Sequence, residues 1–207
     1  MGFVSQQRIV YRSTTSRVLA VVIFVGAAAG MLAAVLAEGL PGALTLAPLL
    51  ALIAGFGWAA YWRPAVVVHE HGVDLVQVLS TLQVPWESIQ SVDTRWALTL
   101  QTPRGNHAAW AAPAPSRYGL YRVSKDENRT LAEGAYLDGT IRLGDALSSD
   151  SGQAAEIVRR TWQAWRDDVD AGERARRDAT ERRHWHTATI AVGAVLAVLA
   201  ALPLLLG

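Results

Sequence analysis

Three runs without a charged residue constrain this chain more than any other feature. From Val18 to Ala37 the sequence VLAVVIFVGAAAGMLAAVLA carries no charge over 20 residues. At 1.5 Å per helical residue such a run is about 30 Å long, the thickness of a bilayer's hydrocarbon core. A second uncharged run, Gly42 to Trp62, follows after only Glu38, Gly39, Leu40 and Pro41, and it ends in Trp58, Tyr61, Trp62 and Arg63. Aromatic and basic residues in that order suit the headgroup level of a membrane. The third run, Thr187 to Gly207, is again free of charge. The expectation is an integral membrane protein with three transmembrane helices, the first two forming a hairpin. The first run is longer than the apolar stretch of a cleaved signal peptide, and the second follows it at once, so cleavage is disfavoured.

Composition agrees with a lipid-solvated part. The 207 residues are 51% hydrophobic and only 18% charged, with a mean hydropathy of +0.19. A net charge of +1 gives no global field to attract nucleic acid, and the absence of cysteine excludes disulfides and thiolate chemistry. Arginine placement then sets orientation. Arg8, Arg12 and Arg17 precede the first run, Arg63 follows the second, and Arg182 and Arg183 precede the third, whereas residues 38–41 hold none. By the positive-inside rule the N-terminus and the middle of the chain are expected in the cytoplasm of a bacterial cell, with the protein multi-pass in the plasma membrane and Gly207 on the outer face.

The organisation expected from these boundaries is a cytoplasmic segment at residues 1–17, a helical hairpin at 18–62, a domain at 63–169, a charged stalk at 170–186 and a third span at 187–207. Within the domain, Ala65 to Glu70 is a β-branched run, His71 and Gly72 make a turn, and Val73 to Leu79 alternates apolar with polar residues. Further short strands are expected at Leu82 to Trp86, Trp96 to Thr102 and His107 to Ala111, with Pro85 ending a strand or lying on an edge. Residues 112–149 lose this periodicity and read as a long loop. Asp150 with Gln153 has the spacing of a capping box, opening a helix with Ala154, Val158, Thr161, Trp162, Trp165 and Val169 on one face. Beyond it, Asp170 with Arg174, Glu173 with Arg177 and Asp178 with Arg182 form acid-before-base pairs at helical spacing. One continuous helix from about residue 152 to 206 is therefore expected.

Several of these residues also carry a resemblance. Pro64 to Trp110, with its Gly72 turn, the VPWESI segment from Val84 to Ile89, the Leu98 and Leu100 strand and the AAWA end at Ala108 to Ala111, resembles the bacterial pleckstrin-homology-like family of actinobacterial membrane proteins. The resemblance implies an α+β domain, a bent antiparallel sheet closed by a C-terminal helix, and it implies no enzymatic activity and no cofactor. The stretch covers 47 of the 207 residues, with Pro85-Trp86 its most specific mark.

Chemistry-bearing motifs are sparse. His69 and His71 share a strand face about 7 Å apart, the repeat of two strand residues, but a third metal ligand is wanting, and a solvated pair is the better reading. His184 and His186 flank Trp185 and read as interfacial anchors. No GxSxG, Gly-rich phosphate loop or HExxH occurs, so an enzyme is not expected. Trp86, Trp96, Trp110, Trp162 and Trp165 are expected to share one core. Gly26 and Gly30 form a GxxxG that permits close helix approach, and Tyr118, Tyr121 and Tyr136 stand in the long loop among apolar residues that a tether would lack. These five are the candidate partner-binding residues. The expected role is that of a non-catalytic accessory or scaffolding subunit whose partners are other integral membrane proteins of a larger complex, with respiratory-chain and cell-envelope assemblies as candidate hosts. The alternative is a sensor of anionic lipid headgroups, against which the few bases on the strand turns argue.

Overall fold

The computed structural model describes residues 8–114, 149–168 and 180–206. The chain divides into two compact units, each described by itself: a sheet unit of residues 1–13, 65–77 and 81–184, and a helical unit of residues 14–64, 78–80 and 185–207.

The sheet unit starts with β1 (Ile9–Tyr11), a strand that charge-based reading passes over because it lies among Arg8 and Arg12. It pairs antiparallel with β2 (Ala65–His69), Val10 opposite Val67. A tight turn leads to β3 (Gly72–Val76), and β4 (Ser80–Pro85) follows. Gly72 stands opposite Pro85, and a Cβ on it would run into the Val84 carbonyl oxygen, so this strand crossing admits only glycine. β4 stops at Pro85, which lacks the donor to continue a ladder, and Trp86–Ser88 make a single 3₁₀ turn. A second sheet contains β5 (Ser91–Asp93), β6 (Ala97–Thr102) and β7 (Gly105–Pro113) in sequence order, with a register irregularity between Ala97 and Thr99.

Helix α2 (Asp150–Asp168) covers the core. Its Ala154, Ala155 and Val158 are buried against Val66, Leu75, Leu98 and Leu100, with Trp162 and Trp165 packed half-buried beside them. Trp86 anchors this core at 1% exposure. Its indole N–H reaches the carbonyls of both His69 and Glu70 at 3.1 Å, so the ring's one polar atom is satisfied.

Two sequence-based expectations fail here. The helix does not continue to the C-terminus: α2 ends at Asp168, and Arg182–Trp185 is a strand, β8, which adds to the first sheet beside β4 to give the order β1-β2-β3-β4-β8. The charge pairs expected to carry that helix, from Asp170 to Asp178, lie outside the described residues. Ser149, not Asp150, caps α2, its hydroxyl oxygen accepting the Gly152 N–H at 2.9 Å.

The helical unit corrects the three-span architecture. Among the described residues only one helical stretch, Thr14–Trp62, is long and apolar enough to cross a membrane, and the apolar helix at Thr187–Pro203 falls short of that length. The long stretch comprises α1 (Thr14–Gly57) and a π-helical turn at Trp58–Trp62. Absence of charge, on which the expectation rested, is necessary for spanning but does not by itself count spans. α1 is bent at Gly39, whose φ of 70° and ψ of −163° leave the helical region. A straight 44-residue helix would be about 66 Å long. Instead a Cβ on Gly30 would lie 3.3 Å from Leu50, one on Gly57 would lie 2.8 Å from Ile23, and the Arg17 guanidinium stands 5.7 Å from the centre of the Trp62 ring. The two arms therefore run antiparallel about Gly39. α3 (Thr187–Leu206) packs along α1.

Candidate functional site

Two surfaces of the sheet unit and one groove of the helical unit are candidates. The first is a polar cleft of about 460 Å³ whose lining includes His69, His71, Asp74, Glu87, Trp165, Thr180 and Arg182. The tight turn between β2 and β3 places both imidazoles here. The His71 backbone N–H donates to His69 Nδ1 at 3.3 Å, and His69 Nε2 lies 3.2 Å from Asp74 Oδ1. His71 Nε2 meets Glu70 at 2.9 Å. Each ring thus faces its own carboxylate. Among the described residues no three His, Cys, Asp or Glu are arranged to hold a metal ion. Asp74 and Glu87 line the cleft with one arginine, Arg182, and Thr180 is the only hydroxyl among the lining residues.

The second surface is aromatic. Trp96 and Trp110, expected in the shared core, are 79% and 53% exposed. Alternation explains Trp110. Leu98, Leu100 and Thr102 take the buried face of β6, and Ala109, Ala111 and Ala112 are the buried residues of β7, which leaves Trp110 on the outer face. Trp96 precedes β6, its carbonyl accepting the Ala114 N–H at 3.0 Å, and the Arg95 guanidinium stands 5.7 Å from its ring centre. An exposed aromatic beside an arginine has the composition of an interface anchor.

In the helical unit, Arg63 Nη1 donates to Thr189 Oγ1 at 2.9 Å and its guanidinium stands 5.3 Å from the centre of the Trp58 ring. Burial lowers the Arg63 pKa. His186 donates its backbone N–H to the Leu79 carbonyl at 2.8 Å, and burial first, then the charge of Arg63, hold its imidazole below its ordinary pKa. Beside them lies an apolar groove of about 610 Å³ between α1 and α3.

The residues singled out from sequence separate. Gly30 is used within the hairpin, facing Leu50, whereas a Cβ on Gly26 would meet nothing within 4 Å. Tyr118, Tyr121 and Tyr136 lie outside the described residues. Sequence reading also missed a clasp in the sheet unit: the Tyr11 hydroxyl and the Ser13 hydroxyl each donate to one oxygen of Asp150 at 2.7 Å. Asp150 was assigned a capping role because its spacing to Gln153 fits one, and a tie to residues more than a hundred positions away leaves no local signal. The same holds for His107 and Glu181, paired at 3.0 Å with both side chains largely buried. Compared with protein-family models, curated proteins and solved structures, the chain finds no match.

Proposed function

We propose that this protein is a non-catalytic, membrane-anchored, PH-like accessory or scaffolding subunit that docks onto a larger membrane complex through the aromatic face around Trp96. The observation that carries this reading is the 79% exposure of a tryptophan beside Arg95. Two antiparallel sheets closed by an amphipathic helix support the PH-like part. Membrane anchoring is supported by the apolar stretch Thr14–Trp62, whose most apolar window is only 11% buried within the protein, so that Val18, Val22, Val25 and Leu36 need lipid or protein to cover them. The arginines before and after that stretch support a cytoplasmic side for the sheet unit.

The test is purification of the tagged full chain in mild detergent. Stoichiometric proteins should accompany the wild type and be lost from Trp96→Ala and from a deletion of residues 116–140, with the circular dichroism spectrum of Trp96→Ala unchanged. Retention of the same proteins by both variants refutes the docking role.

A further inference from the structure

We infer that the groove between α1 and α3 holds one acyl chain of an anionic glycerophospholipid, whose phosphate is received by Arg63. This rests on the membrane anchoring proposed above and goes beyond it by naming a bound lipid and its site. The groove is almost wholly apolar, lined by Phe56, Leu79, Val192 and Leu196 among others, and its volume of about 610 Å³ lies within the roughly 300–1,000 Å³ of small-molecule sites. Two glycines open it. Gly55 on α1 and Gly193 on α3 both line it, and a Cβ on either would meet nothing within 4 Å. Both glycines therefore face open space in the groove.

One charge stands at its rim. Arg63 contacts Trp58 and Thr189, both of which line the groove. Among the described residues the guanidinium meets no carboxylate within ion-pair distance, and its bond to Thr189 uses one of five N–H donors. His186, held towards its neutral form, adds no second charge. A partly shielded cation that meets no carboxylate among the described residues, at the end of an apolar recess, matches a ligand with an anionic head and a hydrocarbon tail. A phosphodiester accepts two parallel bonds from a guanidinium, and the forked geometry makes Arg fitter than Lys for the task.

The experiment uses the full chain, delipidated in detergent and re-equilibrated with dioleoyl phosphatidylglycerol or dioleoyl phosphatidylcholine, with bound lipid counted by native mass spectrometry. One phosphatidylglycerol per chain is expected, held about tenfold more tightly than phosphatidylcholine. Arg63→Gln should abolish that preference while still holding either lipid, and Gly55→Leu and Gly193→Leu, each of which fills the recess, should release both. Equal retention of the two lipids by wild type, or undiminished retention by whichever leucine variant keeps the wild-type circular dichroism spectrum, overturns the inference and leaves membrane anchoring intact. Recovery of the chain from the aqueous fraction without detergent overturns both.

Discussion

Replacing Asp150 tests whether the long-range clasp holds the N-terminal strand in the sheet. Its two carboxylate oxygens each accept a hydroxyl at 2.7 Å, from Tyr11 and from Ser13. Hydrogen bonds to a charged group contribute about 1.5–3 kcal/mol each, and because the two share one carboxylate their sum overstates the pair. Asp150 also occupies the first turn of α2, where a negative charge contributes about 0.3–1 kcal/mol against the helix dipole. Asp150→Ala should therefore destabilise the sheet unit by about 3–5 kcal/mol, Tyr11→Phe by about 1.5–3 kcal/mol, and Asp150→Asn by an amount between them. The assay is hydrogen exchange on the full chain in detergent. Amides of β1 and of β2 at Val66–Val68, the three register pairs of that ladder, should exchange faster in Asp150→Ala while those of β6 and β7 keep their protection. A pH series adds a second readout. Burial, then the bond to Asp150, raise the Tyr11 pKa above its usual value of 10.0. The unfolded phenol ionises near pH 10 and the folded one resists, so this stabilisation is complete below pH 10 and is lost as pH rises beyond it. Tyr11→Phe should remove that alkaline loss. Unchanged melting and unchanged β1 exchange in Asp150→Ala would show that the clasp contributes nothing and refute the reasoning.

Trp86→Ala, which empties the centre of the core and frees two carbonyls, should cost about 3–5 kcal/mol in chemical denaturation of the full chain, and a shift under 1 kcal/mol would contradict the burial argument. Because the chain has no cysteine, Asn106→Cys at the exposed tip between β6 and β7 reports topology directly: an impermeant maleimide should label it only after cells are broken, and labelling of intact cells would reverse the proposed orientation. For His186, whose folded pKa lies below 6.5, the unfolded chain takes up a proton that the folded one resists, so stability should fall as pH drops through 6.5. His186→Gln should flatten that dependence in thermal melts between pH 5 and 7.5, and an equal acid loss in the variant would exclude this residue as its source.

How much could be read in advance depended on sequence distance. The β2–β3 hairpin is written in adjacent residues, a β-branched run, a His-Gly turn and an alternating run, and it forms as expected. The apolar face of α2 is equally legible, since Ala154, Val158, Trp162 and Trp165 recur at helical spacing. Long-range partnerships were not legible. Nothing in Ile9–Tyr11 announces that it adds to a strand beginning at Ala65, and Arg182–Trp185 carries a charge pattern that suits a solvated helix as well as an edge strand. Trp96 and Trp110 were misplaced for a different reason: hydrophobicity says that a tryptophan favours burial, but one strand face is already filled by Leu98 and Leu100, and parity sends Trp110 outward. Parity exposes Trp110 only; Trp96, at the parity of Leu98 and Leu100, is exposed because it precedes β6, and the Arg63 recess lies between two helices that are distant in sequence.

The pairing of β1 with β2 has a kinetic side. Val10 meets Val67, so the partner of the first strand emerges from the ribosome 57 residues later, with the whole of α1 made in between. At the usual elongation rates of about 5–20 residues per second the first strand waits roughly 3–11 s unpaired. α1 is therefore complete before its two flanking strands can pair. Sheet closure then acts as a latch, tying together the two chain ends that flank α1, which part only when the β1–β2 ladder opens.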